Sequence, residues 1–75
     1  MKQPHFDQLD PNDISLETQI AEAKREAAMR ENVYSKWVID GRMKMHDAAI
    51  RYAAMRAIIR SLERLRVLEL EEPKA

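Results

Sequence analysis

The side chains that most often carry chemistry are few and widely separated in this sequence. There is no cysteine, which excludes disulfides, zinc thiolate sites and cysteine nucleophiles together. The two histidines, His5 and His46, do not form a metal-binding His-x-x-x-His pair, and no Ser or Asp stands at a spacing that favours a catalytic triad. A single glycine cannot build a glycine-rich phosphate loop. The sequence therefore predicts a protein that is not an enzyme.

One short segment resembles a set of soft-metal ligands, because Met43, Met45 and His46 stand close together. Methionines beside a turn more often pack against the end of a helix, and the pattern arises easily by chance. We therefore expect these residues to serve the fold, and we predict neither a catalytic site nor a bound metal or other cofactor.

Basic residues are concentrated in one segment, although the 13 basic and 13 acidic residues of the chain cancel. Residues 1–41 carry five basic and eight acidic groups (net −3), residues 42–66 carry seven and two (net +5), and residues 67–75 carry one and three (net −2). The basic segment either selects packing beside an acidic helix or binds nucleic-acid phosphates without reading sequence. The candidates for phosphate binding are Arg51, Arg56, Arg60 and Arg64.

Two aromatic residues and one arginine are candidates for binding a protein partner. Tyr34 and Trp37 are three residues apart, and they either stack within the core or form a partly exposed anchor at the tip of the fold. Arg42 either caps the carbonyl groups of the preceding helix or forms a recognition tip with Tyr34 and Trp37. The sequence leaves both alternatives open.

The elements that must position these residues are two helices. Apolar residues recur at spacings of three and four, the period of an amphipathic helix, in two stretches of the chain. The first stripe contains Leu16, Ile20, Ala23, Ala27, Tyr34, Trp37 and Val38, with Arg30 inside it; the second contains Ala48, Tyr52, Met55, Ile59 and Leu62, flanked by Ile58 and Leu65. We expect the stem of Arg30 to pack while its charged end reaches water or a carboxylate.

The start of the first helix carries two competing signals. Asp10 followed by Pro11 favours a helix start, with Leu9 packing on Ile14 as a hydrophobic staple. Ser15 is a second possible cap one turn later, and we place the boundary between the two.

The turn between the helices is marked by the only glycine, Gly41, which suits the left-handed residue after a helix C-terminus. The second helix is predicted to begin at Met45 behind a weak cap, Lys44, with Met43 packing on Ala48, and to fray after about Leu70.

These boundaries predict an all-α fold, an antiparallel two-helix hairpin. Residues 1–10 form a flexible N-terminal arm, residues 11–70 the helical hairpin domain with its turn near residues 40–44, and residues 71–75 a frayed tail. The apolar arc of the second helix spans about half of its circumference, which is more than one facing helix can cover. We therefore predict a homodimer that forms a four-helix bundle.

The sequence contains neither an apolar run of about eighteen residues nor an apolar signal segment at its N-terminus. We therefore expect no contact with a membrane and a location in the cytoplasm.

The centre of the chain resembles a known family. The pattern Val-Tyr-x-x-Trp-Val-x-x-Gly-Arg-Met, formed here by Val33, Tyr34, Trp37, Val38, Gly41, Arg42 and Met43, is similar to the core of small uncharacterised proteins of temperate bacteriophages and prophages of proteobacteria. The resemblance covers about half of the chain and implies a phage setting without an activity. Family members commonly have Pro at the position of Ser35, which implies a bend in the first helix, and Ser or Thr at the position of Lys44.

These observations together favour a non-enzymatic phage accessory protein, a hairpin dimer in the host cytoplasm that binds and modulates a host or phage protein. The alternative is a weak, sequence-independent nucleic-acid-binding protein that uses the basic second helix. A third interpretation, a structural assembly component, predicts higher oligomers.

Overall fold

The computed structural model describes residues 4–71 of the 75-residue chain, and every regular element within them is helical. A short 3₁₀ turn, Pro11–Asp13, precedes helix α1, Leu16–Ile39, and helix α2, Met45–Glu71. The helices run antiparallel, since Glu31 lies beside Tyr52 near the turn and Glu17 beside Arg66 near the open end. The predicted all-α hairpin is therefore confirmed.

Both predicted caps are used at the start of α1, each for a different element. Asp10 caps the 3₁₀ turn, and the hydroxyl of Ser15 accepts a hydrogen bond of 3.1 Å from the backbone N–H of Thr18 to cap α1. The predicted staple is wrong, because Leu9 is 75% exposed. Ile14 adopts an extended backbone between the 3₁₀ turn and α1, and this extra residue interrupts the helix to which the staple spacing applies.

The end of α1 is closed by a Schellman motif made from backbone groups. The N–H of Gly41 donates to the carbonyl of Val38 at 3.1 Å, and the N–H of Arg42 donates to the carbonyl of Trp37 at 2.8 Å. The N–H of Met43 also donates to Trp37, at 3.2 Å. Gly41 has a φ of 77°, in the left-handed region that the motif requires, as the sequence predicted.

Replacing Gly41 with alanine is expected to destabilise the hairpin by about 1 kcal/mol, because an L side chain disfavours this backbone conformation. A Cβ atom added at Gly41 meets nothing within 4 Å, so the cost is conformational rather than steric. Chemical denaturation followed by circular dichroism measures the change. Gly41→Asn serves as the control and is expected to cost less, because Asn tolerates the left-handed region better than Ala. Equal midpoints for Gly41→Ala and the parent chain would contradict the interpretation.

Helix α1 is continuous through the position where the family resemblance implied a bend. The hydroxyl of Ser35 donates to the carbonyl of Glu31, four residues earlier, at 2.7 Å. Serine retains the backbone N–H that proline lacks, so nothing interrupts the helical hydrogen bonds here. The bend is absent for this chemical reason.

Helix α2 begins at Met45, as predicted, and is described to Glu71. The carbonyl of Lys44 accepts the first helical hydrogen bond, 3.0 Å from the N–H of Ala48. Residues 4–10 of the predicted arm contain no helix or strand and are exposed. The rest of the arm, residues 1–3, and residues 72–75 of the predicted tail lie outside the described residues.

The core between the helices is small. Of the described residues only Ile20, Ala27, Ala48 and Met55 are buried. The other members of the two predicted stripes are half-buried, except Trp37 of the first, whose side chain is 40% exposed, and the flanking residues Ile58 and Leu65 of the second. The Cα atoms extend over 55 × 40 × 13 Å, and residues 4–71 contain no third long helix and no sheet that could add a second layer. The hairpin is therefore a single layer, with neither flat face covered by another element of the described chain.

Candidate partner-binding surface

The aromatic pair beside the turn is divided between the core and the surface. The ring centroids of Tyr34 and Trp37 are 6.0 Å apart, and the ring planes are inclined by 37°. Tyr34 is half-buried between the helices, whereas Trp37 is exposed enough for another protein to contact it. The helical period explains the division, because three residues turn a side chain by about 300°, far enough to place Trp37 at the edge of the stripe.

Trp37 and Arg42 line one shallow depression at the turn, which we call the tip. The other residues that line the tip are Met43, Lys44, Asp47 and Arg51. The tip combines an aromatic surface with several cations and one carboxylate. Exposed Trp and Arg side chains are the types that most often dominate the energy of protein interfaces.

The side chain of Arg42 is not the cap that one interpretation of the sequence required. Its backbone N–H closes the Schellman motif, while its guanidinium donates no hydrogen bond and forms no ion pair within residues 4–71. The fold therefore uses the backbone of Arg42 and leaves the charged end of its side chain at the tip.

A second depression continues from the tip along α1. Met29, Val33 and Trp37 follow one another at four-residue spacing, and all three line this depression together with Arg30 and Arg51. We call these three residues the outer α1 stripe. Neither Met29 nor Val33 was among the partner-binding candidates, although Val33 belongs to the central motif; their spacing from Trp37 is the signal that identifies them.

Arg30 borders the outer α1 stripe and is paired within its own helix. Its Nε donates to Oε1 of Glu26 at 2.9 Å, one helical turn earlier. This hydrogen bond raises the pKa of Arg30 above its ordinary value, so the group stays charged. The expected packed stem with a charged end on a carboxylate is confirmed, since Arg30 is half-buried.

The four arginines proposed for nucleic acid do not share one surface. Arg56, Arg60 and Arg64 repeat every four residues and follow one side of α2. Arg51 is nine residues before Arg60, which places it on the opposite side of the helix, and it lines the tip. Among the described residues none of the four makes an ion pair.

Charge pairing between the two helices is limited to the half of the hairpin away from the turn. Within residues 4–71 it consists of Lys24 with Glu63 at 3.4 Å and Glu17 with Arg66 at 3.9 Å. All four side chains are largely exposed, so each pair contributes little to stability. The structure therefore gives only weak support to the interpretation in which the basic residues of α2 determine how it packs beside α1.

The opposite face of the hairpin carries an open apolar groove near the turn. Tyr34, Val38 and Ala48 line its floor, with Ile39 and Met45 at its rim. One phenol and one carboxylate that line the groove pair with each other, since the hydroxyl of Tyr52 donates to Oε2 of Glu31 at 3.3 Å. The groove therefore offers a mainly apolar surface for contact.

Metal ligands do not converge in the part of the chain that the structure covers. No group of three or more His, Cys, Asp or Glu residues within residues 4–71 is arranged to hold a metal ion. Of the soft-metal candidates, Met43 is half-buried, while Met45 and His46 are exposed.

No family model, curated protein or solved structure matches this chain. Among residues 4–71, neither helix is apolar over a stretch long enough to cross a membrane.

Proposed function

We propose that this chain is a non-enzymatic, protein-binding accessory protein that works as a homodimer of helical hairpins. The observation that carries the proposal is the uncovered apolar face of a single-layer hairpin. That face includes Met29 and Val33 of α1 and Ile58 and Leu65 of α2.

The accessible surface supports the need for a partner. The chain exposes 7077 Å², whereas a compact monomer of 8.8 kDa is expected to expose only about 4,800 Å². The exposed residues 4–10 and the exposed apolar side chains of the two helices contribute to this difference. Each partner in a stable complex buries roughly 600–1,000 Å², so the excess is large enough for such an interface.

The chemistry of the tip supports a second, different partner. Trp37 offers apolar area with an N–H donor, and Arg42 and Lys44 surround it with positive charge. An acidic segment of another protein that carries an apolar residue fits this combination. We propose that the tip binds and modulates such a host or phage protein in the bacterial cytoplasm, with half-buried Tyr34 supporting Trp37.

Affinity capture with matched variants tests the tip. The parent chain, Trp37→Ala with Arg42→Ala, and Lys36→Ala serve as bait in a lysate of the bacterial host. Lys36 is the control because it lies on α1 one position before Trp37 and outside both depressions. A protein retained by the parent and by Lys36→Ala but lost with the double variant supports the proposal. Equal retention by all three folded baits would contradict it.

Nucleic-acid binding is the second candidate, and one observation favours it. Arg56, Arg60 and Arg64 line one side of α2 without an ion pair in residues 4–71, so no carboxylate of the described chain competes with a phosphate for them. Three aligned cations support weak binding that depends on salt but not on base sequence.

Reversing Arg56 and Arg60 to glutamate separates this candidate from the first. Binding to a DNA duplex at low salt is expected to fall by about tenfold or more, because two phosphate contacts become repulsive. Fluorescence anisotropy across a salt series measures the loss, and circular dichroism verifies the fold. Arg25→Glu with Lys36→Glu makes the same change in net charge on α1. If parent and variants bind equally, or the parent does not bind at low salt, the candidate is rejected.

A further inference from the structure

Helix α2 carries two separate apolar seams. The first faces α1 and includes the buried residues Ala48 and Met55. The second, which we call the outer α2 seam, follows the spacing 3-4-3-4-3 of a heptad repeat. Its members are Arg51, Ala54, Ile58, Ser61, Leu65 and Leu68.

The outer α2 seam and the outer α1 stripe lie on the same side of the hairpin. Arg51 belongs to the seam and lines one depression together with Met29, Val33 and Trp37. Ile58 and Leu65 follow Arg51 at intervals of seven residues, which is close to two full turns, so they point to the same side. Ile58 is 48% and Leu65 52% exposed, so the seam is unpartnered within the described chain.

The seam is complementary to itself when a second copy runs in the opposite direction. In the register where residue numbers on the two copies add to 119, Ala54 faces Leu65 and Ser61 faces Ile58. Two of the three facing pairs thus join a large side chain to a small one, which favours close approach of two helices, and the third places Arg51 opposite Leu68. Ile50 of one copy and Leu68 of the other, both exposed in the single hairpin, lie within one residue of the same height along the helix axis.

Charge selects the same orientation. Arg51 and Glu69 are eighteen residues apart, five full turns, and therefore share one side of α2 at its two ends. An antiparallel second copy brings each Arg51 beside Glu69 of the other copy. A parallel copy would place Arg51 beside Arg51 and Glu69 beside Glu69, where like charges repel.

We infer that the outer α2 seam is the dimer interface, and that it binds the α2 helix of a second copy of this chain in antiparallel orientation. The inference rests on the proposed homodimer and adds its surface, register and direction. It places Arg42 and Lys44 of one copy at the opposite end of the dimer from those of the other copy, so these two cations of each tip stay outside the interface.

Distance measurement between spin labels tests the orientation. The chain has no cysteine, so His46→Cys carries a single label at an exposed position outside the seam. The antiparallel register separates the two labelled sites by about 40 Å along the helix axis. A parallel dimer keeps them within about 20 Å, since paired helix axes are 8–10 Å apart.

Light scattering on the labelled protein distinguishes failure of the antiparallel interface from failure of the proposed homodimer. A dimer mass with a distance near 40 Å supports the inference. A dimer mass with a short distance overturns the antiparallel seam while the proposed homodimer stands. A folded monomer at micromolar concentration overturns both.

A charge exchange provides a readout that does not need the label. Arg51→Glu and Glu69→Arg are each expected to weaken the dimer by about two- to tenfold, because the pair occurs twice in each dimer. The double variant is expected to recover the parent affinity. Failure of the double variant to recover would overturn the predicted register, provided that circular dichroism shows an intact hairpin.

Discussion

Replacing Ile20 with alanine is expected to lower the thermal midpoint of the hairpin by about 10 °C or more. Ile20 is 6% exposed and is one of the four buried residues of the described chain. Truncation of a buried Ile costs about 2–5 kcal/mol, while a chain of this size has a total stability of roughly 4–11 kcal/mol. Circular dichroism during heating measures the shift.

Ile39→Ala is the matched control, because it makes the same chemical change on the same helix at a position that is 84% exposed. Both substitutions improve helix propensity, so the comparison isolates burial. The control is expected to change stability by at most about 0.5 kcal/mol. Similar losses for the two variants would show that the core between the helices does not hold the fold.

If the proposed homodimer forms through the outer α2 seam, replacing Ile58 with glutamate is expected to convert it to a monomer at micromolar concentration. The side chain is exposed in the single hairpin and would be covered in the proposed dimer. Each dimer contains Ile58 twice, and burial of one such side chain contributes about 1.5–3 kcal/mol. Loss of both, with two carboxylates brought into an apolar seam, weakens association by more than about a hundredfold. Sedimentation or light scattering over a dilution series measures the change.

Ala53→Glu introduces the same charge on another side of α2, five residues from Ile58 and outside the outer α2 seam. This control is expected to keep the parent mass. A dimer that survives Ile58→Glu but not Ala53→Glu would show that the interface lies instead on the side of α2 that carries Arg56, Arg60 and Arg64.

Most of the fold could be predicted from the sequence because its signals are local. Ser15 acts through one hydrogen bond and Gly41 through one backbone angle, and α1 begins and ends beside these two residues. The second apolar stripe starts after the turn, and α2 begins at Met45. The staple at Leu9 was wrong because it depended on whether the 3₁₀ turn continues into α1. That continuity depends on Ile14, whose extended backbone no capping rule anticipates.

Less of the candidate site could be predicted, because position around a helix matters more than residue type. Trp37 and Arg42 were both candidates and line one depression, but the apolar spacing alone left open whether Trp37 lies in the core or at the surface. Arg51 and Arg60 were both candidates for phosphate binding, although a separation of nine residues places them on opposite sides of α2. Met29 and Val33 were not among the candidates, because the outer α1 stripe can be recognised only once the first stripe of α1 is known to pack against α2.

The turn at Gly41 is also expected to determine the order in which the hairpin folds. The three polar side-chain pairs that join the helices in the described chain, Glu31 with Tyr52, Lys24 with Glu63 and Glu17 with Arg66, lie almost symmetrically about residues 40–44. Their separation along the sequence therefore grows from the turn toward the open end. Local contacts form first because they restrict the chain least, and each formed turn lowers the entropic barrier to the next. The hairpin is therefore expected to zip from its turn, and hydrogen exchange is expected to be slowest near Ala48 and fastest near Leu16.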